Sequence, residues 1–307
     1  MALDEVFLNY PRRRHGMDHD RYPWSNIFNR PDLSLPNGSK VGLLITIPVE
    51  FFPLNPTGKP FKAPGSMVTT YPDFRHYTTR DYGNRVGIFR LMKILDDFGL
   101  KANMAVNSEV AVRYPYLLAE IVSKGHEIVA HGMDMDTLHY SGMDPEEEEK
   151  QVTTTLDTLR KMSGQPVIGW MSPAYSESFF TPDMVRQHGC KYICDWANDD
   201  LPYNMNTSHG DLLVMPVSQE ISDRQIIINY HQTENSFCQQ VCDQMDYLYT
   251  EAKTNGPRIL SLTLTPYISG LPFRISAIQS LLTHIIKHPD VVNMTGSDVV
   301  SVFNNYP

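Results

Sequence analysis

The feature that most constrains this chain is a series of short, continuously apolar segments separated by amphipathic stretches. Continuous apolar runs are typical of strands buried on both faces, because a strand with one face in solvent alternates apolar and polar residues. The predicted strands are Val41–Ile47, Ala102–Val106, Glu127–Ala130, Val167–Met171, Tyr192–Asp195, Leu212–Val217, Arg258–Leu264 and Val291–Met294. Seven or eight such strands alternating with helices predict a parallel α/β fold, either a doubly wound sheet or a barrel.

The helices between these strands carry recognisable end signals. Asp144 and Pro145 are typical of a helix start, and Gly164 is typical of the position just after a helix end. Apolar residues recur at helical spacing before Gly99, and two further helices are expected over Ser236–Lys253 and Arg274–Lys287.

Polar residues follow almost every predicted strand, which favours the barrel. They are Glu50, Asn107, His131, Ser172 with Glu177, Asp195 to Asp199, Gln219 and Tyr267. A parallel barrel builds its active site at the carboxyl ends of its strands, from many strand ends at once. We therefore predict an irregular arm over residues 1–39 and a distorted (β/α) barrel over residues 40–307.

Composition narrows the function classes. The net charge is −9, with no basic stripe, so neither a nucleic acid nor an anionic membrane is an expected partner. No segment approaches the ~20 apolar residues of a membrane span, and the N-terminus does not resemble a signal peptide. We expect a cytoplasmic protein that acts on a small molecule.

Two groups of residues are candidates for a metal site. The cysteines form two pairs with a spacing of four, Cys190/Cys194 and Cys238/Cys242, and are either zinc ligands or, more in keeping with free cysteine, buried thiols. His15 and His19 lie among aspartates in the arm, where packing over the pocket is preferred to metal binding.

Six motifs occur in an order that is similar to the polysaccharide deacetylase superfamily (carbohydrate esterase family 4, NodB-like). They are Tyr10-Pro11-Arg12, Asp81 to Gly87 with Arg90, Gly125 to Gly132, Gly169 to Pro173, Asp195 to Asp200, and Tyr267 to Arg274. The chain most resembles the allantoinase-like branch, which hydrolyses cyclic amides. The resemblance implies a barrel of seven or eight parallel strands and an enzyme that hydrolyses carbon–nitrogen bonds other than peptide bonds.

The chain departs from the family's metal apparatus. Glu50 and His131 match two metal ligands of the family, but Met135 stands at the second histidine position. Val49 replaces the family's other acidic residue, and Thr265 replaces its late histidine. Methionine is a poor ligand for a hard divalent cation. We therefore expect no metal cofactor, zinc included, at the family position.

The remaining residues can still perform acid–base chemistry. We predict four catalytic residues, Glu50, His131, Glu177 and Asp195, with Glu50 as the base that activates water. The predicted substrate-binding residues are Arg80, Tyr82, Arg85, Ser172, Trp196, Asp199, Tyr267 and Arg274. The expected activity opens a small cyclic amide, imide or ureide. The alternatives are a metal-dependent N-deacetylase of an acetylated sugar or polysaccharide, and an inactive barrel that serves as a binding or scaffold protein.

The arm also bears on assembly. It carries Tyr22, Trp24, Ile27 and Phe28 without periodic structure. Exposed apolar side chains in such a number usually cover a surface, so we expect a homo-oligomer, a dimer or tetramer, in which the arm contributes to subunit contacts.

Overall fold

The structure is a computed structural model that describes residues 18–28, 33–57 and 72–304. The predicted features at Tyr10-Pro11-Arg12 and His15 lie outside these residues. The strands are β1 (Val41–Val49), β2 (Asn103–Val106), β3 (Glu127–Ala130), β4 (Gly169–Trp170), β5 (Tyr192–Ile193), β6 (Tyr203–Met205), β7 (Leu212–Val214), β8 (Arg258–Thr263) and β9 (Val291–Met294).

These strands form one sheet in the order β6-β7-β5-β4-β3-β2-β1-β8. β9 pairs with the first half of β1, where Val41 faces Val291, whereas β2 pairs with the second half, where Thr46 faces Asn103. All pairs are parallel except β6 with β7. The curled, mostly parallel sheet with helices around it is a distorted (β/α) barrel, which confirms the predicted fold class.

The described residues form ten α-helices, which include every helix predicted from the sequence. They are α1 (Phe74–Tyr82), α2 (Ile88–Phe98), α3 (Ser108–Arg113), α4 (Pro115–Ser123), α5 (Pro145–Ser163), α6 (Thr181–Gln187), α7 (Glu234–Asn255), α8 (Pro266–Ser269), α9 (Ile275–Ile286) and α10 (Gly296–Asn304). Asp144 accepts a hydrogen bond from the amide of Glu146 at the start of α5, and Gly164 ends the helix in the left-handed region, at φ 69°.

Two further segments are π-helical, Gly83–Gly87 between α1 and α2 and Arg224–Asn229 before α7, and three short 3-10 helices cover Pro36–Gly38, Pro173–Tyr175 and Pro272–Arg274. The first π-helical segment packs against α8 so closely that a Cβ on Gly87 would lie 2.1 Å from the carbonyl oxygen of Pro266. Only glycine fits there, which accounts for the last glycine of the Asp81–Gly87 motif.

The core lies on both faces of the sheet, and every residue of β1 is buried. Leu91, Ile94 and Leu95 of α2 pack into it, as their spacing predicts. Burial on both faces explains why the strands are continuous apolar runs in the sequence.

The antiparallel β6 was not predicted from the sequence. It lies at the edge of the sheet, where Asn204 is exposed and Met205 is buried, so it has no continuous apolar run. β4 and β5 are also shorter than predicted, because their ladders extend over two residues each. Among the described residues, no helix is both long and apolar enough to cross a membrane.

Candidate active site

The strand register brings the predicted polar residues to one level. Val49 pairs with Val106, and Val106 pairs with Ala130. The residues that follow these three, Glu50, Asn107 and His131, therefore leave the sheet side by side at its carboxyl edge. All three are buried.

Glu50 is held by an arginine that the sequence analysis did not identify. Arg224 Nη2 donates to both carboxylate oxygens, at 2.8 and 2.6 Å, and Asn84 Nδ2 donates to the Glu50 carbonyl at 2.8 Å. Burial by itself raises the pKa of Glu50, but the charge of Arg224 and the neighbouring His131 outweigh it and hold the pKa at about 2. Glu50 is therefore an ionised anchor and a weak base.

His131 has one ring nitrogen bound and the other unbound. Nδ1 lies 2.8 Å from the carbonyl oxygen of Met171, which can only accept, so Nδ1 carries a proton. Nε2 is buried, has no hydrogen-bond partner among the described residues, and lies 3.7 Å from Glu50 Oε1. In neutral His131 the lone pair is therefore on Nε2, beside a carboxylate that would stabilise the protonated ring. The structure thus brings together Glu50 and His131, two of the four predicted catalytic residues.

Backbone and amide contacts fix this pair in place. Asn107 Oδ1 accepts from the amide of Phe51 at 2.8 Å, and its Nδ2 donates to the carbonyl of His131. Gly132 adopts φ 66°, and a Cβ there would lie 2.4 Å from Pro173 Cγ. Asn107 thus joins the loops after β1 and β3, and glycine after His131 lets the chain pass the turn after β4.

Glu177 and Asp195 form a pair of acidic residues, of which Asp195 is buried and Glu177 is half-buried. Asp195 Oδ1 accepts from the amide of Ser172 at 2.7 Å, and Glu177 Oε2 accepts from Trp196 Nε1 at 2.7 Å. Glu177 Oε1 and Asp195 Oδ2 are buried without a donor among the described residues.

Burial raises the pKa of Asp195 to about 6, and burial together with the charge of Asp195 raises the pKa of Glu177 well above its ordinary value. Two adjacent carboxylates repel each other when both are ionised. Such a pair therefore retains one shared proton at a pH at which a single carboxyl would have lost it. Glu177 and Asp195 can therefore store and release a proton near His131.

Arg224, the partner of Glu50, lines a cleft of about 640 Å³, a volume in the range of small-molecule sites. Arg224, Tyr175, Tyr267, Phe52 and Met135 are among its lining residues. Arg224 therefore links the buried Glu50 to the cleft, and its Nε has no hydrogen-bond partner among the described residues.

The segment that carries Arg224 is anchored by its neighbour. Asp223 is fully buried and accepts from the amide and hydroxyl of Thr265, at 2.6 and 2.8 Å, and from the hydroxyl of Ser269 at 2.6 Å. Burial raises the pKa of Asp223 to about 6. Thr265, which stands at the position of the family's late histidine, thus helps to orient the π-helical segment that carries Arg224.

Several predicted substrate-binding residues do not reach this cleft. Arg85 has a side chain that is 75% exposed and faces Asp81 at 3.7 Å, because it lies on the outer face of its π-helical segment. Tyr82 accepts from Arg90. Arg274 donates to the carbonyl of Ile268 at 3.0 Å, a local contact between residues six positions apart. The structure thus places these three in packing or surface contacts.

The other predicted residues differ in their distance from the cleft. Tyr267 lines it, and its ring lies over Arg224, 5.9 Å from the guanidinium carbon. Arg80 lies behind Phe52, with its guanidinium 4.6 Å from the ring centre, and is bonded to His76. Ser172 is fully buried and accepts from Trp170 Nε1 at 2.8 Å, so its hydroxyl supports the turn after β4.

Trp196 and Asp199 face the N-terminal arm. Tyr22 packs edge-on against Trp196 at 5.7 Å, and Asp199 lines a separate cavity of about 530 Å³ beside Tyr22 and Trp24. The described part of the arm is fixed to the barrel by buried Arg21. Arg21 Nη2 bonds Asp183 and the carbonyl of Phe179, both at 2.6 Å.

The donor set does not fit the divalent metal that the resemblance to deacetylases implies. Both oxygens of Glu50 already accept from a guanidinium, whose positive charge opposes a cation at the same place. Met135, at the position of the family's second histidine, lines the cleft with a thioether. Cys190, Cys194, Cys238 and Cys242 are free thiols in the described structure.

The fold and the site can be compared with those of known proteins. Residues 70–193 match the family described as polysaccharide deacetylase, so this part of the chain is similar to a polysaccharide deacetylase domain. The similar proteins below are deacetylases and an allantoinase, which are hydrolases of carbon–nitrogen bonds. The chain is therefore similar to hydrolases that act on carbon–nitrogen bonds other than peptide bonds.

One curated relative is a peptidoglycan deacetylase of Helicobacter pylori, which is 22% identical over 72% of this chain and 85% of its own length. The crystal structure of PuuE allantoinase matches with a TM-score of 0.78, and that of a probable polysaccharide deacetylase from Pseudomonas aeruginosa PAO1 matches with 0.83. Each of these structures is 23% identical to the chain, and each match covers 92% of this chain and 98% of the other.

Proposed function

We propose that this protein hydrolyses a carbon–nitrogen bond in a small cyclic amide, imide or ureide, without a catalytic metal. The observation that carries the proposal is the ion pair of Glu50 with Arg224 beside the unbound Nε2 of His131. This pair makes the carboxylate unavailable to a metal and leaves the imidazole as the available base.

In the proposed reaction His131 Nε2 takes a proton from water as the water attacks the carbonyl carbon. Glu50 stabilises the resulting imidazolium, and an N–H of Arg224 donates to the oxygen that becomes negative. The tetrahedral adduct collapses by cleavage of the carbon–nitrogen bond, and the departing ring nitrogen receives a proton from His131 or from the Glu177–Asp195 pair. The single ring-opened product carries a carboxylate at one end and an amide, amine or urea nitrogen at the other, so one water is consumed.

The cleft supports a small substrate. Aromatic side chains and Arg224 surround about 640 Å³, which suits a planar ring with carbonyl and N–H groups. The structural similarity to PuuE allantoinase is consistent with a substrate of this chemistry.

A second candidate is the N-deacetylation of a sugar, which the names of the relatives favour. The separate cavity of about 530 Å³, lined by Tyr22, Trp24, Asn198 and Asp199, has the aromatic and polar side chains that a sugar ring contacts. In this case an N-acetyl group would be hydrolysed and acetate released.

The two candidates are separated by two assays on one preparation. Purified protein is treated with a chelator, dialysed, and given hydantoins, imides and ureides such as allantoin, or N-acetylglucosamine oligomers. We expect ring opening that the chelator leaves unchanged and that is absent from His131→Ala. Release of acetate from the oligomers, lost on chelation and restored by a divalent ion, would establish the second candidate instead.

A further inference from the structure

Three side chains with metal-binding atoms converge on the outer face of the barrel, where α7 packs against α9. Asp246 comes from α7, His284 lies in the last turn of α9, and His288 lies two residues beyond the end of α9. Asp246 Oδ1 lies 2.7 Å from His284 Nε2 and 3.2 Å from His288 Nε2. None of the three belongs to the candidate active site.

The ring of His288 is oriented for coordination. Its Nδ1 lies 3.2 Å from the carbonyl oxygen of His284, which can only accept, so Nδ1 carries a proton and the lone pair of the neutral ring is on Nε2. Tyr249 packs on the same ring, with 4.7 Å between ring centres. A backbone carbonyl bound to the distal nitrogen is the usual support of a metal-binding histidine.

This orientation leaves a lone pair of neutral His288 facing a carboxylate. Such a contact is repulsive unless a positive charge lies between the two groups, either a second proton on the ring or a metal ion. Both imidazoles turn Nε2 toward the same oxygen of Asp246, so one cation between them would satisfy all three groups.

The dimensions suit a tetrahedral ion with nitrogen and oxygen ligands. Bonds of roughly 2.0–2.1 Å place neighbouring ligand atoms about 3.3 Å apart. All three ligand atoms lie within 4.8 Å of one another, and the two contacts of Asp246, at 2.7 and 3.2 Å, lie near this ligand-to-ligand spacing. Two imidazoles and one carboxylate are ligands that zinc accepts readily.

We propose that Asp246, His284 and His288 bind a zinc-class divalent ion that joins α7 to α9. Three protein ligands leave the fourth position to water. The ion would act on stability, because α7 and α9 come from segments separated along the chain and the ion would connect them directly.

The test is a titration of chelator-treated full-length protein with Zn²⁺, followed by calorimetry, and with Co²⁺, followed by its visible absorption. We expect binding that is at least ~10-fold weaker in Asp246→Asn and in His288→Gln, since each removes a ligand. Zn²⁺ should raise the melting temperature of the wild type but not of these variants. The altered side chains are partly exposed at the surface, so folding should persist, which circular dichroism checks.

The matched control is His188→Gln. His188 Nε2 lies 2.7 Å from Glu149 Oε1, a surface imidazole–carboxylate pair of the same length without a second imidazole. This variant should bind Zn²⁺ like the wild type. If the double variant of His284 and His288 keeps the wild-type Zn²⁺ affinity, the ion lies elsewhere and the proposal is overturned.

Discussion

Arg224 donates from one nitrogen to both carboxylate oxygens of Glu50, although the two residues are 174 positions apart in the chain. This contact changes the role that the sequence suggests for Glu50. A carboxylate with a pKa of about 2 accepts a proton poorly near neutral pH, because a general base works best when its pKa is close to the working pH. The proton acceptor in our proposal is therefore His131, and Glu50 supports it.

Glu50→Gln should lower kcat by ~10²-fold or more, because the variant loses the negative charge that stabilises imidazolium and holds Arg224. Steady-state kinetics on the ring-opening substrate measure this. The control is Glu251→Gln, which alters the ion pair of Glu251 with buried Arg258 outside the candidate site. The control should lose stability but keep kcat. A Glu50→Gln enzyme with near wild-type turnover would contradict the assigned role.

His131→Ala should reduce kcat by ~10²–10⁴-fold, since it removes the proposed proton acceptor. His126→Ala is the matched control, because His126 is equally buried but lies before β3, at the opposite end from His131. We expect His126→Ala to lower the melting temperature with little effect on kcat. Equal losses of kcat in both variants would indicate a general effect on the fold.

Much of the fold could be predicted because its signals are local. The apolar runs marked the buried strands, and Asp144 and Gly164 marked the ends of α5. The proximity of Glu50 and His131 could also be predicted, because in a parallel sheet residues that follow adjacent strands meet at one edge.

The features that were missed depend on distant contacts. Arg224 lies ten residues after β7 in a π-helical segment, and no local pattern points it toward Glu50. Arg85 was assigned to the pocket because its motif lies there, but its direction depends on the helical phase, which turns it outward. The spacing of four between His284 and His288 can be seen in the sequence. The approach of Asp246 to them cannot, because it depends on the packing of α7 against α9.

The N-terminal arm leads to a prediction about assembly. Trp24 and Phe28 are 72% and 81% exposed, although the arm is fixed to its own barrel by Arg21. We expect a dimer or tetramer whose interface includes these rings, so Trp24→Ser with Phe28→Ser should shift the protein toward the monomer in sedimentation velocity. Tyr116→Ser, at a ring that is 73% exposed on α4, should leave the distribution unchanged. A wild type that sediments as a monomer would exclude the interface.

The acidic pair predicts how stability depends on pH. The pKa of Asp195 is raised by burial from an ordinary 3.8 to about 6, so the folded protein binds more protons than the unfolded chain between these values. The free-energy contribution of Asp195 to folding is therefore complete below about pH 3.8 and is lost as the pH rises through about 6. The pKa of Glu177 is shifted in the same direction, mainly by burial.

Asp195→Asn should remove this dependence, because asparagine keeps the acceptor for the Ser172 amide and offers an N–H toward Glu177 in place of the shared proton. Relative to the wild type, the free energy of unfolding of the variant should rise between pH 4 and pH 7, by on the order of 1 kcal/mol or more. Urea denaturation across this range measures the difference. Asp223, whose pKa burial also raises to about 6, is present in both proteins, so its contribution cancels. A difference that stays constant with pH would mean that Asp195 is ionised throughout, and that the pair with Glu177 holds no proton to donate.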